Sequence, residues 1–214
     1  MKRLIFATRN PHKVRELSEM MAPAGWTAVP LSDSAPEVIE DAETFLGNAA
    51  LKAISAFLHT GEAAVADDSG ICLSGLNGAP GVLSARFAGP ACDDAANNQR
   101  MLAELKDKAD RAAHYHCALA CVIARGRLTS LPDGAQTDWP GLPNGAVLLS
   151  TEGQAHGRII DEPRGDGGFG YDPYFFRDDL GKTFAELTAD QKHALSHRGK
   201  AFRALADLLE AHAA

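Results

Sequence analysis

The chain has 214 residues, 45% of them hydrophobic and 23% charged, enough to bury one substantial core and to give a soluble, enzyme-sized protein. Its formal net charge of −7, with no dense Lys/Arg run, excludes the electrostatic footprint of a protein that coats duplex DNA or RNA, so any polyanionic ligand is small and locally gripped. No stretch reaches the roughly 18 apolar residues of a membrane span, and the first apolar run, Leu4 to Ala7, is too short for a signal peptide; a cytosolic location is expected.

In chain order, Leu4 to Ala7 reads as a short buried strand. Asn10-Pro11 then offers an N-cap and a first-turn proline to a helix carrying Val14, Leu17, Met20 and Met21 at helical spacing. Val29 to Ile39 is a strand and loop punctuated by Pro30 and Pro36, and Thr44 opens a helix with Phe45, Ala49, Lys52, Ala53, Ala56 and Phe57 in the i, i+4 pattern, ending near Gly61. Ala63 to Ala66 is a buried strand, and Gly70 to Gly89 is a long ordered loop with one short strand. Asp93 to Lys108 is an amphipathic helix with Asp93 or Asp94 at its start, and Tyr115 to Ala124, the longest apolar run, is the candidate central strand. Arg125 to Asn144 is rich in Gly, Pro and Asp and reads as an exposed hairpin or insertion. Ala146 to Thr151 and Ala155 to Ile160 are two further strands, Gly165 to Asp172 is a glycine-rich loop before Pro173 and an aromatic run, and Asp190 to His212 closes the chain as a helix interrupted near Gly199 or starting beyond Ser196. Strands mixed with helices without strict alternation predict an α/β or α+β sheet with some antiparallel pairing. The four cysteines, Cys72, Cys92, Cys117 and Cys121, form no CxxC pair, and most sit in apolar surroundings that suit reduced, buried thiols.

Several constellations carry chemistry. Asp67-Asp68-Ser69-Gly70 follows a strand and places two carboxylates and a hydroxyl where a hard divalent cation could be held and water prepared for attack; an ordinary Asp-Ser-Gly turn explains it equally. If the strand continues, the two aspartates point to opposite faces, and Asp68, beside Ser69, is the candidate ligand. Thr8-Arg9-Asn10-Pro11-His12-Lys13 lies between a strand and a helix, where free N–H groups and the helix dipole favour an anion, although a capped helix with a surface lysine accounts for it as well. Glu37, Glu40, Asp41 and Glu43 precede the Thr44 helix and stabilise its start, or one of them completes a Mg²⁺ shell with Asp68. Asn48 and Lys52 share a helix face, ordinarily as a surface pair. Ser84-Ala85-Arg86 could position a phosphate or hold a carboxylate in a buried ion pair, the ion pair being the favoured reading. Around Phe169, flanking glycines let the backbone pass close to a ligand, the ring suits stacking on a base, and Asp172 could accept from ring N–H groups. Lys192 and Ser196-His197-Arg198 supply donors, or a helix cap followed by charges.

Taken together, Thr8-x-Asn10-x-x-Lys13, Thr44-Phe45-x-x-Asn48-Ala49-x-x-Lys52-Ala53, Asp67-Asp68-Ser69-Gly70, Gly81-x-x-Ser84-Ala85-Arg86, Gly168-Phe169-Gly170-Tyr171-Asp172-Pro173 and Ser196-His197-Arg198 resemble the non-canonical purine nucleoside triphosphate pyrophosphatases, the dITP/XTP or inosine triphosphate pyrophosphatase family. The resemblance spans nearly the whole chain. It implies a single domain over residues 1–214 built on a long mixed β-sheet with flanking helices, in two lobes around a substrate cleft, usually as a homodimer. It implies Mg²⁺-dependent hydrolysis of ITP, dITP or XTP to the monophosphate and pyrophosphate, cleansing the nucleotide pool. By motif, Thr8, Asn10, Lys13 and Lys52 would bind phosphates, with Arg9, Pro11 and His12 in the variable part of that segment. Glu40 and Asp68 would hold Mg²⁺, the exact acid in Glu40-Asp41-Ala42-Glu43 being open by a position. Asp68 would accept the proton of the attacking water, with Ser69 contacting the ligand beside it. Phe169 would stack on the purine, Gly170, Tyr171 and Asp172 would complete the wall, and Lys192, His197 and Arg198 would reach the base or its surroundings. A sensor that binds without turnover and a phosphohydrolase of pyrimidine nucleotides are the competing readings.

Overall fold

A computed structural model describes residues 2–8 and 11–214, with side chains left aside at 11–13 and 16. Arg9 and Asn10, and the side chains of Pro11, His12 and Lys13, therefore lie outside the described residues, and with them most of the first phosphate motif. The described strands form a seven-stranded mixed sheet in the order β2-β1-β3-β4-β5-β6-β7, comprising β1 (Lys2–Phe6), β2 (Trp26–Pro30), β3 (Ala64–Leu73), β4 (Ala112–Ala124), β5 (Ala146–Ile159), β6 (Phe175–Arg177) and β7 (Lys182–Thr183). The helices are α1 (Pro11–Met21), α2 (Phe45–Thr60), α3 (Asp94–Leu105), α4 (Ala189–Leu195) and α5 (His197–His212). No helix among the described residues is long and apolar enough to cross a membrane.

The chain divides into two compact units. The first comprises Met1–Asp68, Ala118–Glu152 and Ala201–Ala214. Here β1 pairs in parallel with β2 across the α1 crossover and with β3 on its other side. Thr44 caps α2 by accepting from the Gly47 N–H, and Gly61, at φ 69°, closes it in the left-handed conformation that glycine adopts without a Cβ penalty. The small face of α2, Ala49, Ala50 and Ala53, lies on Ala66, Ala120, Val122 and Leu148, so backbone comes close to sheet and residues at the helix start are held firmly. Phe6 meets Phe202 edge to face at 5.9 Å, fixing α5 on this core.

The second unit comprises Ser69–Cys117 and Gly153–Lys200. Its core gathers Ile71, Met101, Leu105, Tyr115, Phe175 and Phe184. Asp93 caps α3 by accepting from Ala96 N–H, and β5, β6 and β7 pair antiparallel in succession.

Several expectations need correction. The second strand starts at Trp26 and stops at Pro30, because its register is set by parallel pairing from Lys2↔Trp26 to Phe6↔Pro30. The strand expected over Ala63 to Ala66 runs to Leu73, so Asp67-Asp68-Ser69-Gly70 is strand and not a turn, and the following segment carries 3-10 turns at Ser74–Leu76 and Gly81–Arg86. The two strands expected from Ala146 to Ile160 are one, Ala146–Ile159. Arg125 to Asn144 is no hairpin and is not fully exposed: Gln136 pairs with Leu148, and Trp139 and Leu142 pack on the first unit's core. The closing helix breaks at Ser196, extended at φ −71° and ψ 157°. Arg86 is exposed, so its guanidinium is not the buried one expected there. All four cysteines are free, with Cys117 and Cys121 buried and Cys92 exposed; burial pushes the Cys121 thiol up to about 12.

Candidate active site

In the first unit, continuation of β3 through Asp67 and Asp68 sends the two carboxylates to opposite faces. Asp67 is buried, while Asp68 meets the start of α2. Asn48, one turn into that helix and itself buried, donates from Nδ2 to Asp68 Oδ2 at 3.0 Å and accepts at Oδ1 from the Ala42 N–H at 2.9 Å. Four residues on, Lys52 Nζ stands 2.7 Å from Glu40 Oε2 and 4.0 Å from Asp68 Oδ1. The i, i+4 spacing that could have been a surface pair is therefore an inward-facing one. Of the four acids before α2, Glu40 is the one that meets this lysine, while Asp41 and Glu43 are exposed.

One ammonium group in contact with both Glu40 and Asp68 shows that the two carboxylates face a common point. Such a pair could hold a hard divalent cation; among the described residues no cluster of three or more His, Cys, Asp or Glu could do so. Two carboxylates with the rest of the shell left to water and phosphate oxygens is the arrangement such a cation accepts when it travels with a nucleotide. Beside them opens a cavity of about 340 Å³ lined by Thr8, Glu37, Glu40, Lys52 and Ser55 among others. Thr8, Lys52 and Glu40 thus converge on one concave surface.

The second unit holds the remaining candidates. Phe169 is 65% exposed at the tip of the glycine-rich loop. That loop is pinned from α3: Gly170 N–H donates to Asp94 Oδ2 and Gly170 carbonyl accepts from Asn98 Nδ2, both at 2.9 Å. Gly168, at φ 75°, must lack a side chain, because a Cβ would run into the Asp172 carboxylate. Asp172 is only 3% exposed, and its oxygens accept from Phe169 N–H (2.9 Å), Tyr115 hydroxyl (3.2 Å) and Lys192 Nζ (2.5 Å). Its place is beneath the wall, holding it, and not on its surface. Tyr171 likewise faces inward, its hydroxyl donating to the Ser84 carbonyl at 2.8 Å; burial first, then the Asp94 charge, raises its phenol well above the ordinary range. Lys192 Nζ lies 4.8 Å from the Phe169 ring centroid.

Ser196 accepts from the Gly199 N–H at 3.1 Å and so caps α5, which positions the first two helical residues. His197 is buried and stacked on Tyr115, while Arg198 Nη2 donates to Ser69 Oγ at 3.2 Å. Sequence reasoning left Asn48 out of the site, though its position four residues before Lys52 was a signal. Tyr115 was missed for a different reason: inside an apolar strand it reads as core, and its hydroxyl's partner lies 57 residues away.

The sequence matches the Ham1 family over residues 4–208. This chain belongs to the Ham1 family. Among curated Ham1-family relatives it is 43% identical over 213 residues to the dITP/XTP pyrophosphatase of Ralstonia nicotianae, covering 98% of this chain and 97% of the relative. It is 46% identical over 211 residues to that of Streptomyces coelicolor, covering 96% of each. Its backbone is similar to the solved structure of a HAM1 protein from Coxiella burnetii, with a TM-score of 0.84, 36% identity and coverage of 98% of each chain. The Ham1 resemblance extends through both units, so each set of site residues falls within the matched region.

Proposed function

We propose that this Ham1-family chain hydrolyses purine nucleoside triphosphates bearing a 6-oxo base, dITP, ITP and XTP, to the nucleoside monophosphate and pyrophosphate, removing them from the nucleotide pool. The observation that carries this reading is the convergence of Glu40 and Asp68 on Lys52, with Asn48 bonded to Asp68, in a chain whose relatives bear the name dITP/XTP pyrophosphatase. Lys52, with Thr8 and Lys13, takes the phosphate end of the substrate. Glu40 and Asp68 would hold Mg²⁺, which would supply charge neutralisation at the leaving pyrophosphate. Asp68, fixed by the Asn48 amide, accepts the proton of the water that attacks the α-phosphorus; the bond to the bridging oxygen breaks and pyrophosphate leaves. At the base end Phe169 offers its exposed ring for stacking, while Lys192, His197 and Arg198 supply donors. A donor aimed at a 6-oxo oxygen would oppose the amino group of adenine, a mismatch of about 1–3 kcal/mol per unsatisfied group, so ATP is a poor substrate. The reading includes a cytosolic homodimer, supported by the family resemblance.

A panel of dITP, ITP, XTP, GTP and ATP with Mg²⁺, scored for pyrophosphate and for orthophosphate, tests the proposal. Pyrophosphate release from dITP, ITP and XTP in preference to GTP and ATP, lost by about 10²–10⁴-fold in Asp68→Asn, is expected. Orthophosphate with a nucleoside diphosphate would count against it, and binding without turnover would favour a sensor.

A further inference from the structure

Tyr115 belongs to none of the resemblance motifs, yet it touches two of them. It lies on β4 in the second unit, nearly buried among aromatic rings. Phe175 meets it at 4.7 Å between centroids with a 58° tilt, and Phe184 lies parallel at 5.8 Å, so the phenol ring has little freedom. On this fixed ring lies the imidazole of His197, 4.8 Å away and within 8° of parallel, an offset stack of the favoured kind. At its other end the hydroxyl reaches Asp172 Oδ1 at 3.2 Å, and the same carboxylate clamps Lys192 Nζ and the Phe169 backbone N–H. Burial first and the Asp172 charge next push this phenol well above its ordinary value, so it remains a donor.

We propose that Tyr115 is the positioning residue for base recognition in this chain: its ring sets the orientation of His197, and its hydroxyl, through Asp172, sets Lys192 and the Phe169 turn. The proposal rests on the reading of His197, Lys192 and Phe169 as base contacts, and deepens it. A phenol that ties together the two segments bearing these donors lets them act as one unit, because neither imidazole nor ammonium has to be ordered when a nucleotide arrives. Loss of the ring removes the surface on which His197 stacks. Loss of the hydroxyl alone removes one of three donors to Asp172 and leaves the stack.

The test measures dITP and dATP binding by calorimetry in an Asp68→Asn background, which reports recognition whether or not the chain turns substrate over; pyrophosphate release by the unmodified protein tests the hydrolase reading separately. In Tyr115→Leu, dITP binding is expected to weaken about tenfold and the dITP/dATP preference to collapse. Tyr115→Phe falls between, at about threefold, with the preference largely kept. A purely structural role would lower the melting temperature of the Leu variant without changing the preference measured well below it. Unchanged dITP binding and preference in folded Tyr115→Leu overturn the proposal; if that variant does not fold, unchanged binding in Tyr115→Phe overturns it and a loss of about threefold supports it.

Discussion

Asp67 and Asp68 are identical in chemistry and adjacent in sequence, and strand alternation alone separates their surroundings. Asp67 is buried on one face, and Asp68 turns to the Asn48 amide and Lys52 ammonium on the other. Gly70, two residues on, marks how closely this segment is approached. A Cβ there would collide with Ser84 Oγ and the Gly81 carbonyl, and would stand 2.9 Å from Ser84 Cβ. Ser84 cannot retreat without losing its bonds to the Ile71 N–H and the Gly81 carbonyl, at 2.8 and 2.6 Å. Gly70→Ala is therefore expected to lower stability by about 1–3 kcal/mol, the usual range for overpacking, measurable as a shift of the urea midpoint; an unchanged midpoint would mean that the turn around Ser84 yields freely. Its neighbour Ser69, which accepts from Arg198, is close enough in sequence that activity of the variant should fall as well.

At the level of elements, β4 and β5 present a pH-dependent feature apart from the candidate site. His114 lies 5.5 Å from His156 and 6.4 Å from His116 between ring centroids. Burial first, and then the charges of His156 and His116, lower its pKa from 6.5. Between the lowered folded value and the unfolded value the unfolded chain binds more protons, so stability falls as pH drops through that window, and the loss is complete below the folded value. The melting temperature is expected to decline more steeply from about pH 7 to about pH 5 in the unmodified chain than in His114→Gln; parallel curves would remove the histidine from the account. These strands also show what could be read from the chain and what could not. The α2 alanine stripe, the Thr44 cap and Gly61 were legible because capping and helical spacing are local. The length of β3 was not, since Asp68 inside the strand is held by a partner distant in sequence, Asn48. The inward direction of Asp172 was equally hidden, being decided by Tyr115 and Lys192, and the Ser196 break was legible only as one of two options.

For the whole molecule, a ligand that engages only the folded chain adds to its stability in proportion to the logarithm of its concentration. In the unmodified chain, a non-hydrolysable dITP analogue with Mg²⁺ at about 100 times its dissociation constant is expected to add about 2.7 kcal/mol, raising the melting temperature by roughly 5–10 °C for a chain of this size. Scanning calorimetry with the dITP analogue, with the matching dATP analogue and with the dITP analogue plus chelator would show it; equal shifts in all three would remove both base selectivity and cation dependence. The chain enters the first unit in three segments and the second in two, and Asp68 and Ser69, consecutive on β3, belong to different units. Neither unit is a continuous stretch that recombination could excise, duplicate or graft elsewhere. Either unit taken by itself would have to be stitched together from separate pieces of chain.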